Sequence, residues 1–199
     1  KRTYFMNQLD SLLNDEDAPT EGSLIMLRVS DLAELNRCHG YAYTNQRLGQ
    51  LGDALCKLAE DYPRATAARL NGSDFALLLP GEQNPEPVNQ KLIDLLQHLE
   101  TNSLPQAGRI GYLGSTLYHH EEARPSLLAR VDAALAIAES DGRIAWHHAR
   151  DEFIPAVSNN TDWRTLIELA LSTRNMLRLA DFPVRNSDGR LLHLECHVR

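Results

Sequence analysis

Apolar residues recur at helical spacing from the start of the chain. Phe5, Met6, Leu9, Leu12 and Leu13 predict an amphipathic helix over residues 3–13, ended by the acidic, Pro-containing loop 15–21. Residues 23–29 form a short, almost continuous apolar run that reads as a buried strand. Ser30-Asp31 can cap a helix start, which predicts a short helix over 32–38 stopped by Gly40. A long helix over 44–60 follows, with Leu48, Leu51, Leu55, Cys56 and Leu58 mostly on one side.

Two short runs, 66–70 and 75–79, flank Asn71-Gly72-Ser73-Asp74, a composition suited to a hairpin turn, so they should pair antiparallel. A helix over about 87–99, a strand over 108–116, a helix over 125–140 and a short strand over 143–147 complete the segment. This mixed order predicts an α+β fold, a sheet covered by helices. The pattern loosens over 151–161, with Pro155 and Ser158-Asn159-Asn160, which reads as a linker. A helix over 162–173 carrying Trp163, Leu166 and Ile167 follows, then strands over 176–184 and 191–198 joined by the turn signal Asn186-Ser187-Asp188-Gly189.

Composition narrows the function classes. Twenty Lys+Arg against 27 Asp+Glu give a net charge of -7, with no basic run, so nucleic acid is not an expected partner. No apolar stretch approaches the ~20 residues that cross a bilayer. Cys38, Cys56 and Cys196 form no CxxC pair, which argues against a disulfide framework or zinc knuckle and suits a reducing cytoplasm. His193, Glu195 and His197 fall on one face of the last strand by its period of two, but a face awaiting the rest of its own fold is the simpler reading than a metal site. The pairs His119-His120 and His147-His148 are expected at the surface.

The segment Ala68-Arg69-Leu70-Asn71-Gly72-Ser73-Asp74-Phe75 resembles the signature hairpin of GGDEF (diguanylate cyclase) domains. Three further segments resemble the same family in the right order: Arg2-Thr3-Tyr4-Phe5, Asn36 with Gly40 up to Leu48, and Ala134-Leu135 to Gly142-Arg143. The resemblance implies a nucleotide-cyclase-like sheet with a ferredoxin-like core over residues 1–150.

The functional positions that the resemblance implies are altered. The aspartate that binds magnesium in the family, eight residues before the asparagine, corresponds to Arg28, and the acid at the third signature position corresponds to Ser73. A guanidinium has no lone pair for a cation that demands hard oxygen donors, and a serine hydroxyl is a weak ligand. Arg28 is either a relic that snorkels from the sheet edge or a substitute cation. The family's triphosphate-binding lysine corresponds to Glu139, while the neighbouring Arg143 is kept. The guanine-reading pair corresponds to Asn36, kept, and Asn45 in place of aspartate, with Thr44 and Tyr41 replacing a glycine and a histidine. Asn71 replaces the first signature glycine, Phe75 and Gly72 are kept, and Asp74 is a lone remaining acid. The family's inhibitory product site falls on Tyr62 and Ala65 and is missing.

Residues 181–199 resemble the first hairpin of EAL domains, with Glu195-Cys196-His197-Val198-Arg199 at the family's E-A-L-x-R motif and both Glu195 and Arg199 retained. The resemblance therefore implies a GGDEF-EAL regulator of the LapD or CsrD type. Its expected function is a non-catalytic module that positions or restrains an EAL domain. A GTP-binding allosteric domain and an atypical active cyclase are the alternatives. No metal or cofactor is expected, and cyclic di-GMP should bind only through a complete EAL domain. The EAL domain of the same parent is the expected partner, with a homodimer and an inner-membrane parent as further expectations. The helix over 162–173 and its hairpin are expected to dock on the first domain or on a second copy.

Overall fold

The computed structural model describes residues 2–100, 111–141, 146–149, 179–185 and 191–198. The chain divides into two compact units, Lys1–Ala156 and Val157–Arg199. In the first, the element order is α1 (Arg2–Asn14), β1 (Glu21–Val29), α2 (Leu32–Ala59), β2 (Thr66–Arg69), β3 (Asp74–Pro80), α3 (Glu86–Glu100), β4 (Gly111–His119), α4 (Arg124–Asp141) and β5 (Trp146–His148). The second contains β6 (Leu179–Arg185) and β7 (Leu191–Val198), an antiparallel pair in which Phe182 faces Glu195. The expected helix over 162–173, the linker and the turn 186–189 lie outside the described residues.

Five strands form one mixed sheet in the order β2-β3-β1-β4-β5, antiparallel except for the β4–β5 pair. Alternation along β1 splits the core in two. Ile25, Leu27 and Val29 face the side covered by α2 and α3, together with Phe75, Leu77 and Leu79 of β3. Leu24 and Met26 face the side covered by α1 and α4, together with Ala76 and Leu78. The α+β expectation holds, with helices on both faces.

The two helices expected on either side of Gly40 run as one element with a break at that residue, where φ is 82° and ψ 159°. Only glycine adopts this backbone without strain, and the Thr44 hydroxyl donates to the Gly40 carbonyl at 3.2 Å to restart the helix. Asp31 is the N-cap residue, but in a left-handed conformation (φ 52°) and with no side-chain hydrogen bond to the helix. Its position matches the expected cap, but its side chain does not serve as one.

β4 runs to His119, three residues past its expected end, because β1 begins at Glu21 and the pairing extends to Glu21–His119. The extension needs Gly22, since a Cβ there would lie 2.6 Å from the Tyr118 ring. It also corrects the expectation for the paired histidines, which are partly buried. His119 Nδ1 is 3.4 Å from Glu21 Oε1, the His120 amide donates to Thr20 O at 2.7 Å, and His148 Nδ1 lies 3.0 Å from Ser115 Oγ.

α4 lies directly on the β4 backbone. A Cβ on Gly114 would come within 2.4 Å of Leu135 N and 2.6 Å of Val131 O. The start of α4 is fastened by Arg130, which donates to Thr116 Oγ1 at 2.8 Å, to Leu117 O at 2.7 Å and to the fully buried carboxylate of Glu122.

Candidate functional site

The signature residues sit in the turn between β2 and β3, and the turn is closed by its own side chains. Leu70 N–H donates to Asp74 O at 2.8 Å, while Asn71 Oδ1 accepts from the backbone of Ser73 at 3.0 Å and of Asp74 at 2.9 Å. This is the local bonding for which asparagine is favoured in turns. It does not require the left-handed backbone that an asparagine at a glycine position suggests, since neither Asn71 nor Gly72 has positive φ. Arg69 adds a clamp from outside, donating to Asn71 O at 3.0 Å and Gly72 O at 2.6 Å with its guanidinium 5.7 Å from the centre of the Phe75 ring. Val29 N–H donates to Ser73 O at 2.9 Å and ties the turn to the end of β1.

Arg28 and Asp74 are direct cross-strand partners on the face that carries Met26 and Ala76. The guanidinium therefore reaches the carboxylate sideways along the sheet: Nε donates to Oδ1 at 2.8 Å and Nη2 to Oδ2 at 3.2 Å. From above, α4 supplies two more acids. Asp132 and Glu139 are seven residues apart, close to two helical turns, so both overhang the same strand end. Nη2 donates to Asp132 Oδ1 at 3.2 Å and Nη1 to Glu139 Oε2 at 3.3 Å. Arg28 is thus enclosed by three carboxylates, its side chain 30 % exposed. A snorkelling arginine sends its head to water; this one spends it on acids.

Asp74 has no oxygen left for a ligand. Oδ1 also accepts from the Ser73 hydroxyl at 3.0 Å and Oδ2 from Asn71 Nδ2 at 2.8 Å. Burial pushes the Asp74 carboxyl up, but the hydrogen bonds from Arg28, Asn71 and Ser73 outweigh it and hold the group below the usual carboxylate range. The hydrogen bond to Asp74 raises the Arg28 guanidinium against the opposing effect of desolvation, with the charges of Asp74, Glu139 and Asp132 adding to it. Both stay ionised at neutral pH. A cleft of roughly 370 Å³ opens beside them, with Met6, Met26, Leu70 and Leu128 on its apolar walls.

Of the residues singled out in the sequence, Arg28, Asn71, Ser73, Asp74 and Glu139 come together. Asn36, half-buried, and Asn45, exposed, lie on α2, and no hydrogen bond of the cluster reaches them among the described residues. Tyr62 and Ala65 pack against the α2–α3 core. Glu195 lies in β7, while Arg143 and Arg199 fall outside the described residues. Asp132 was not singled out; its place seven residues before Glu139 on an Ala-rich helix was the available signal. Among the described residues no group of three His, Cys, Asp or Glu side chains is arranged to hold a metal ion.

The hairpin in this sheet and the helices on both faces agree with the family scan, in which the diguanylate cyclase GGDEF-domain model matches residues 1–145. The chain belongs to the GGDEF family. The RNase E specificity factor CsrD of Escherichia coli K12 is 28% identical over 201 residues, covering 100% of this chain and 31% of that protein. Among solved structures, the S helix-GGDEF-EAL part of Vibrio cholerae LapD bound to c-di-GMP superposes with a TM-score of 0.63 at 22% identity, covering 99% of this chain and 46% of that one. The GGDEF domain of DgcB from Caulobacter crescentus, in complex with c-di-GMP, gives 0.62 at 21% identity over 75% of this chain and 91% of that one. The chain spans about a third of the curated relative and under half of the LapD fragment. No described helix is long and apolar enough to cross a membrane.

Proposed function

We propose that this chain is the non-catalytic GGDEF module of a GGDEF-EAL protein in cyclic di-GMP signalling, and that it positions or restrains the EAL domain whose N-terminal helix and hairpin are residues 162–199. One observation carries the reading: the Arg28 guanidinium lies where the family resemblance puts a metal-binding acid, and it takes up the one acid left in the signature, Asp74. Phosphoryl transfer depends on metals to cancel developing charge and on placement of the phosphates. Three carboxylates meet the Arg28 guanidinium, and with Arg2 as a further cation on the adjoining cleft the acids still outnumber the cations. Like charges ~4 Å apart repel by up to about 4 kcal/mol at an intermediate dielectric, so a triphosphate is opposed here rather than held.

The relatives support the second half of the reading. Both CsrD and the LapD fragment align with essentially the whole of this chain, residues beyond the GGDEF match included. The retained Glu195 and Arg199 fit the opening motif of an EAL domain. Domain limits of 1–150, 151–161 and 162–199, a cytoplasmic location under an inner-membrane parent and self-association belong to the same proposal.

Calorimetric titration with GTP-magnesium and with cyclic di-GMP, on this chain and on one extended through the EAL domain, tests it. The expected result is no GTP binding by either and cyclic di-GMP binding by the extended chain alone. Micromolar GTP binding would replace this reading with a GTP-sensing domain.

A further inference from the structure

We infer that the open edge of β2 is a docking groove for one extended segment of a partner protein, which joins the five-stranded sheet as a further strand and brings small side chains and a basic residue to the face of α2 that carries Asp53. The inference stands whether or not the domain acts on nucleotides.

β2 ends the sheet, with β3 as its one neighbour among the described strands. Leu70 N–H donates to Asp74 O, so by the alternation of an antiparallel pair Thr66 and Ala68 also bond to β3, while Ala67 and Arg69 turn their N–H and C=O outward. No described residue takes those outward groups. Such an edge is a template for another strand. It is also recessed between two helices. α1 packs on one face of β2 and α2 on the other. Tyr4 of α1 and Gly49 and Gly52 of α2 line one cleft of roughly 480 Å³ with Ala67 and Ala68, and Leu48, Leu55 and Phe75 supply its apolar inner end.

The α2 wall admits a close neighbour. Gly49, Gly52, Asp53 and Cys56 follow i, i+3, i+4, i+7 spacing and form one stripe beside the cleft. Both glycines have ordinary helical backbone. Alanine would fit at either, since a Cβ on Gly49 meets nothing within 4 Å and one on Gly52 lies 3.6 Å from the Phe75 ring. Glycine inside a helix is destabilising relative to alanine, and no packing among the described residues requires it here; a backbone laid against the wall does.

Charge selects the occupant. The charged residues of the cleft are Asp53 and Arg69. The Arg69 guanidinium is turned away to the carbonyls of Asn71 and Gly72. Asp53 is exposed and makes no ion pair among the described residues, Lys57 one turn on included. Farther along the same edge lie Glu60 and Arg64, one acid and one base. The uncompensated charge is therefore Asp53, which a lysine or arginine of the added strand would meet. A second copy fits less well. Joining two β2 edges about a two-fold axis sets α2 beside α2 on one face of the sheet near the strand spacing of ~4.8 Å, where packed helices need about 8–10 Å.

The test is binding of two acetylated, amidated heptapeptides to the full chain, Val-Ala-Val-Lys-Val-Ala-Val and its counterpart with glutamate for lysine, read by calorimetry and by amide hydrogen exchange. In the free chain the Ala67 and Arg69 amides should exchange at least ~10-fold faster than that of Ala68. The lysine peptide should slow both and bind about 5-fold more tightly than the glutamate peptide at low salt. N-methylation of its alternate amides should abolish binding. Gly49→Ala should raise Tm by ~2–4 °C and yet weaken binding, and Gly49→Val should weaken it at least ~10-fold. If Gly49→Val does not fold, Gly49→Ala decides, because stability and binding then move in opposite directions. Ala67 and Arg69 amides already protected in the free chain, no binding of the lysine peptide at millimolar concentration, equal binding of the two peptides, or unimpaired binding of the N-methylated or Gly49 variants would overturn the inference. So would a dimer in light scattering that Gly49→Val dissolves, which would assign the edge to a second copy.

Discussion

Removing the Glu122 carboxylate should be among the most damaging single changes in the first unit, and the structure shows why. Glu122 is fully buried in a short turn, Arg130 is 12 % exposed, and their guanidinium–carboxylate pair stands between the end of β4 and the first turns of α4. Arg130 also donates to two neutral acceptors, Thr116 Oγ1 and Leu117 O. In Glu122→Ala the buried guanidinium loses its fully buried carboxylate partner, and breaking a buried ion pair from one side costs ~3–5 kcal/mol in comparable sites. Solvent reaches too little of the pair to screen that figure down. For a chain of this length the loss corresponds to a fall in Tm of roughly 6–20 °C. Urea unfolding of Glu122→Ala, Arg130→Met and the double variant Glu122→Leu/Arg130→Met measures it. The double variant should be less destabilised than Glu122→Ala, because it leaves no buried charge. A cost below about 1 kcal/mol for Glu122→Ala, or a double variant as unstable as that single one, would refute the argument. The pair also bears on the site, since it sets the seat of the helix that carries Asp132 and Glu139.

Three further outcomes follow from the same geometry. Gly114→Ala places a methyl group against Val131 O and Leu135 N and should cost at least ~2 kcal/mol by overpacking, read as a lower urea midpoint with an unchanged slope. The Asp74 carboxyl is held below its ordinary value in the folded chain. Its stabilisation is therefore fully present above the unfolded pKa of ~3.9 and is lost as pH falls through the folded value. The stability gap between wild type and Asp74→Asn should thus be constant above about pH 5 and narrow steadily below about pH 4. Arg28→Asp combined with Ser73→Asp should still form no cyclic di-GMP while Glu139 and Thr44 remain, and product in a chromatographic assay would show that the metal positions alone limit the site.

Much of the fold was legible because alternation and helical spacing are local. Phe5 to Leu13, the run 23–29 and the Asn71–Asp74 turn each declare their element within a few residues. In the sequence Gly40 reads as a stop; in the fold it is a break inside one helix, because a single positive-φ residue followed by the Thr44 hydroxyl bond lets the helix resume. The end of β4 was missed because it depends on Gly22 making room for Tyr118, a contact between residues far apart in sequence. The partial burial of the histidine pairs likewise depends on strand pairing, since β4 carries His119 and β5 carries His147 and His148 in the sheet. At the site, the charges of Arg28 and Glu139 are legible residue by residue. That the two residues meet, with Asp132 beside them, depends on the seating of α4 on Gly114.

The proposed non-catalytic function turns on the Arg28 guanidinium at the position where the family resemblance puts a metal-binding acid. The most direct measurement is incubation of the purified chain with GTP and either magnesium or manganese, followed by chromatography of the nucleotides. The account predicts no cyclic di-GMP above a control without protein, with either cation and at any chain concentration. Cyclic di-GMP that rises with chain concentration and disappears with EDTA would contradict it.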